Sequence, residues 1–168
     1  MTNNDIIRRL RYIFDINDAS MVSTFGLSGL SVTRAQVSNW LKPESDSDAE
    51  LCNDQELAHF LNGLITKMRG KKDGAQPEVE TRLTHNMTFK KLKIALNYKS
   101  EDILDVMNLA DFEMSNHELS AFFRKPGHKH YRKCGDQILR NFLQGLQMKL
   151  RPDESQKQEQ ENSPYKSN

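Results

Sequence analysis

The chain is short of most features that announce a function. It has two cysteines, one tryptophan and five prolines in 168 residues. Two cysteines cannot staple a disulfide-rich scaffold. No apolar run approaches the roughly 18 residues that a membrane span needs. Met1–Asp5 carries no basic segment leading into an apolar stretch, so no export signal is read there. The expected location is therefore the cytoplasm, with both thiols reduced. There is no glycine-rich phosphate loop and no nucleophile elbow. No carboxylate pair is spaced for acid–base work. The expectation is a protein that is not an enzyme, uses no cofactor, touches no membrane and has no identifiable small-molecule substrate. Neither charge sign dominates, with 24 Lys and Arg against 23 Asp and Glu.

What the chain does contain is one unit written twice. Residues 4–69, moved forward by 82 positions, fall on 86–151 without a gap. The stretch Cys52–Leu64 meets Cys134–Leu146, and eight of the thirteen pairs are identical: Cys, Asp, Gln, Leu, Phe, Leu, Gly and Leu. A repeat of this regularity sets architecture before single residues are interpreted. Each copy alone offers only a thin core, so the two are expected to pack together with approximate two-fold symmetry.

Apolar spacing divides each copy into four helices. The first is expected near 4–16 and 86–98, the second near 18–26 and 100–109, with Asp18 and Ser100 as N-caps. The third starts at Thr33 and Ser115, where a hydroxyl is followed three residues later by Gln36 or Glu118. The fourth starts at Asp54 and Asp136, whose carboxylates suit a helix N-terminus. Gly63 and Gly145 sit inside it, where glycine costs about 1 kcal/mol against alanine. Close approach by a neighbouring helix would compensate, and the other copy is one candidate for that neighbour. The fold class is thus all-α: two tandem four-helix repeats, 1–70 and 84–151, joined by a polar linker at 71–83. A polar tail at 152–168 is expected to be unstructured.

The motif Cys-x-Asp-Gln-x-Leu-x-x-Phe-Leu-x-Gly-Leu, in tandem, resembles the YehS-like bacterial family. The run Phe122–Gln137 is the most specific part of that likeness, which covers about residues 4–151. The resemblance implies an all-helical cytoplasmic protein and a domain of unknown function. It implies no activity, ligand or catalytic residue.

Four groups of residues could carry chemistry. Helices two and three of each copy loosely resemble a helix-turn-helix, whose exposed side would present Arg34, Gln36 and Asn39, or Asn116, His117 and Ser120. The connection is longer than that motif's usual turn. Helix one repeats its cations: Arg8, Arg9 and Arg11, then Lys90, Lys91 and Lys93. Charge recurs while the side chain changes, which suits phosphate contact without two-pronged geometry; a solvated helix face has the same composition.

The third group is the loop before helix four. In copy two, Arg124, Lys125, His128, Lys129, His130, Arg132 and Lys133 make it strongly basic; in copy one, Glu44, Asp46, Asp48 and Glu50 make it acidic. Charge follows the same division, for 83–151 hold 12 Lys and Arg against 7 acids, and 1–70 hold 7 against 9. A basic loop with Tyr131 suits a nucleic-acid backbone. An acidic loop and a basic one also suit a protein partner or two chains meeting head to tail. The last group, His128, His130 and Cys134, could ligate a metal, but copy one offers only Cys52 at the matching places and no fourth ligand is evident. No metal is expected. Cys52 and Cys134 read as small buried residues ahead of helix four. Gln55 and Gln137 recur without a capping duty, which leaves contact between copies as their one reading. The role expected is a regulatory binding module, contacting nucleic-acid backbone or, alternatively, a protein.

Overall fold

The computed structural model describes residues 1–152. Of the tail at 152–168, all but the first residue lies outside these. The described residues form eight helices and no strand. They are α1 (Asn3–Ile13), α2 (Asp18–Leu27), α3 (Arg34–Leu41) and α4 (Asp54–Arg69), then α5 (His85–Leu96), α6 (Ser100–Leu109), α7 (Asn116–Ala121) and α8 (Asp136–Leu150). The two tandem four-helix repeats anticipated from the period are present.

Several ends differ from expectation for local reasons. Helix one stops early in both copies because Asp15 and its counterpart Asn97 adopt left-handed backbone, with φ of 51° and 54°. Asp and Asn tolerate that region better than most residues. Asn17 caps α2, where Asp18 had been expected. Before α6 the Asp102 carboxylate accepts the Lys99 N–H at 2.7 Å, and Ser100 is already helical. The capping boxes at Thr33 and Ser115 form as read. Asn53 caps α4, accepting the Glu56 N–H at 2.8 Å, whereas Gly135 stands in that place before α8. Asp54 and Asp136 are therefore the first residues of their helices and are free for another role.

The two interiors solve one packing problem in two ways. In copy one, Phe25 on α2 sits 5.3 Å from the rings of both Trp40 and Phe60. In copy two the large ring moves to α5: Phe89 lies 4.7 Å from Phe142 and 5.0 Å from Phe123. The counterpart of Phe25 is Met107, and that of Phe89 is Ile7; all four are fully buried. Enlarging one site and shrinking its neighbour keeps core volume constant, which is the swap packing tolerates best.

Gly63 and Gly145 do answer to close approach, but the neighbour is helix two of the same copy. A Cβ on Gly63 would stand 1.8 Å from the Thr24 carbonyl oxygen, and one on Gly145 2.0 Å from that of Val106. The copies themselves meet through helices one and four, α4 along α5 and α1 along α8. One continuous apolar interior draws on both repeats. The segment between them carries no helix, yet it is tied down: Glu80 pairs with Lys91 at 2.9 Å and Leu83 packs on the core.

Candidate functional site

The loop before helix four has the same backbone in both copies. In copy one the Asp46 N–H reaches the Pro43 carbonyl at 2.9 Å, Ala49 reaches Asp46 at 3.1 Å, and Glu50 reaches Asn39 at 3.1 Å. In copy two the equivalent bonds run from His128 to Lys125 at 2.9 Å, Tyr131 to His128 at 2.9 Å, and Arg132 to Ala121 at 3.1 Å. Even the side-chain turn repeats. The Asp46 carboxylate accepts the Asp48 N–H at 2.9 Å, and His128 Nδ1 accepts the His130 N–H at 3.0 Å.

A buried asparagine holds each loop to helix one. Asn4 Nδ2 donates to the carbonyls of Trp40 and Glu50, and its Oδ1 accepts the Cys52 N–H. Asn86 does the same for Phe122, Arg132 and Cys134, at 3.0, 2.8 and 2.8 Å. A side chain that satisfies three buried backbone groups fixes a loop that has no helix or sheet of its own. Asn4 and Asn86 go unnoticed in the sequence reading; their identity under the 82-residue shift is the signal that could have found them.

On this shared frame the charge is inverted. Lys125, His128, Lys129, His130, Arg132 and Lys133 are exposed, and Arg124 and Tyr131 are half-buried. Arg132 lies over the Phe122 ring at 5.6 Å. The His130 ring stands 5.6 Å from His128 and 6.5 Å from His117 of α7, so a third imidazole joins the patch. Lys93 lies 5.5 Å over Phe123, next to Arg124 in the chain. Lys90 is exposed; its counterpart Arg8 donates to the Lys42 carbonyl at 2.9 Å, and Lys42 corresponds to Arg124. Lys93 therefore borders the basic loop, and Lys90 occupies the position whose copy-one counterpart touches the equivalent loop.

The remaining helix-one cations are engaged within the fold. Arg8 pairs with Asp5 at 2.6 Å. Arg11 pairs with Asp18 at 2.8 Å and donates to the Ile16 carbonyl. Lys91 joins Glu80 and Asn62. Arg9 is half-buried against α8, donating to Gln144 Oε1 at 3.2 Å. The six cations thus divide, and Lys93 of copy two falls beside the loop. The helix-turn-helix likeness is weakened by length and by side-chain use. At six residues α7 is under two turns. Gln36 closes a capping box, Asn39 binds Lys42 and Glu50, and Ser120 binds the His117 carbonyl.

Of the repeated signature residues, Asp54 and Asp136 reach beyond their own copy. Asp54 accepts from Asn3 Nδ2 at 2.8 Å in its own copy and from the Leu83 N–H at 2.9 Å at the end of the linker. Asp136 accepts from His85 Nε2 at 2.7 Å and from the Met1 amine at 2.6 Å, which are the equivalent positions. The Met1 amine, then His85, hold the Asp136 carboxyl down at about 2. Gln55 and Gln137 are exposed, and among the described residues neither makes a hydrogen bond to the other copy; Gln137 bonds Asn141. Cys52 and Cys134 are free and buried, as read. Burial, helped by Glu56 and Asp54, pushes the Cys52 thiol up to about 12. Burial pushes Cys134 equally far, so the basic loop does not activate it. Among the described residues no helix is long and apolar enough to cross a membrane.

Comparison with known proteins agrees with the period. The family described as Protein of unknown function (DUF1456) matches twice, over residues 3–70 and 85–151. The Uncharacterized protein YehS of Escherichia coli (strain K12) is 42% identical over 147 residues, covering 87% of this chain and 94% of the relative. No solved structure matches. Two matched segments, a relative similar over nearly its whole length and eight helices in two sets of four place this chain in the DUF1456 family, as a YehS-like tandem-repeat protein.

Proposed function

We propose that the protein is a non-enzymatic cytoplasmic binding module whose copy-two face grips the sugar–phosphate backbone of a nucleic acid. The observation that carries this is the loop at 124–133. It is pinned by Asn86 on a frame that copy one also builds, so its shape is not special, and only its charge is. Five exposed or half-exposed cations, bordered by Lys93 and by three imidazoles, form a surface without internal carboxylate partners among the described residues. Backbone contact needs positive charge at a fixed place and little else. Lysine and arginine are mixed here, which favours charge over base reading.

A second reading has its own observation. The acidic loop at 42–51 offers a surface of opposite sign on the same frame, which is what docking between protein chains would use. One set of variants separates the two. Reversing charge at Lys129, Arg132 and Lys133 is expected to abolish binding of a labelled oligonucleotide by fluorescence anisotropy while leaving molar mass in solution unchanged. Loss of a self-associated state, with oligonucleotide binding absent from the native protein, establishes the docking role instead.

A further inference from the structure

The interface between the copies contains two equivalent cation positions, and the fold neutralises one of them. At the α4–α5 contact, Lys91 Nζ bonds Asn62 Oδ1 at 2.7 Å and pairs with the Glu80 carboxylate at 2.9 Å. At the α1–α8 contact, Arg9 takes the place of Lys91 and Gln144 that of Asn62, with the bond between them at 3.2 Å. Arg9 has no carboxylate within ion-pair reach among the described residues. Its Nε is shielded from solvent and has no hydrogen-bond acceptor. Burial pulls the guanidinium down from its ordinary value, with no nearby carboxylate to offset that. A half-buried cation without a counter-ion is costly.

Arg9 opens onto a groove of about 390 Å³ lined by Met1, Asp5, Arg8, Arg9 and Arg140. Asp5 is already occupied by Arg8 and by the Thr2 N–H. Arg140 is exposed and has no ion-pair partner among the described residues. We propose that this groove binds a compact oxyanion, a carboxylate or phosphoryl group, held between Arg9 and Arg140 where the fold places the Glu80 carboxylate in the other interface. Guanidinium forks suit both groups. The site does not depend on the function of the loop at 124–133.

The test follows arginine Nε–H resonances of the full chain by NMR, titrating inorganic phosphate and, separately, acetate, with ionic strength held constant by sodium chloride. The Arg9 and Arg140 signals are expected to move saturably. Arg140→Gln, an exposed change that spares the core, is expected to weaken the response roughly tenfold, the loss of one charge-assisted contact. Charge reversal at Lys129, Arg132 and Lys133 leaves it unchanged. Whichever probe saturates at lower concentration identifies the group. A response equalled by chloride alone, or one that Arg140→Gln does not alter, overturns the proposal.

Discussion

Asn86 makes three hydrogen bonds to backbone of the loop and its flanks, all of them at least partly buried. Replacing it by alanine leaves two carbonyls and an N–H unmatched, and unmatched buried groups cost more than their bonds contribute when present. Asn86→Ala is expected to lower unfolding free energy by about 3 kcal/mol in urea titration. It should also weaken oligonucleotide binding through loss of the loop's fixed shape. Asn4→Ala should cost a similar amount and leave binding unaltered, since Asn4 pins the acidic loop. Neither asparagine stands out in composition or periodicity, because a polar residue on an apolar helix face reads as surface. What the residue scale hides in sequence is direction: Asn4 is polar and yet points inward.

Among the elements, the helix pattern was legible because apolar spacing and capping chemistry are local. Thr33 and Ser115 announced α3 and α7 without any tertiary knowledge. The ends of α1 and α5 were not legible, since they turn on left-handed backbone at Asp15 and Asn97. The duty of Asp54 and Asp136 was also hidden: the donors they accept from, the Leu83 N–H and the Met1 amine, lie far away in the chain. That duty has a pH signature. The Asp136 carboxyl sits at about 2 in the folded chain against an ordinary 3.8. A depressed folded value means the stabilisation is complete above the ordinary value and is lost as pH falls through about 2. In acid unfolding, Asp136→Asn is expected to be less stable than the native chain at neutral pH and to show a flatter loss of stability between those two values. A parallel curve for both proteins would exclude the latch. The exchange of Phe25 and Ile7 for Met107 and Phe89 makes a second prediction at this scale. Phe89→Ile should open a cavity and Met107→Phe should overfill its site. Together they rebuild the copy-one arrangement, so a double-mutant cycle should show favourable coupling of about 1 kcal/mol or more.

At the scale of the whole molecule, the period fixed the architecture, and the apolar faces of helices one and four could be read before any coordinates. That each would be covered by the other copy could not be read in detail, because sequence spacing says which face is apolar and not what lies on it. With α1 on α8 and α4 on α5, neither repeat closes its own core. Residues 1–70 alone are therefore expected to show no cooperative unfolding transition, whereas the full chain unfolds in one. The molecule is then one body with two differently charged loops on equivalent frames, and the proposed nucleic-acid contact rests on the basic one. The most direct measurement is the salt dependence of oligonucleotide affinity for the native chain and for the variant reversed at Lys129, Arg132 and Lys133. A log–log plot should be a straight falling line for the native protein. Removing three phosphate contacts should reduce its slope for a single strand by about 2. An affinity that does not change with salt, or a slope that the three reversals leave untouched, would contradict the assignment of this surface to a nucleic-acid backbone.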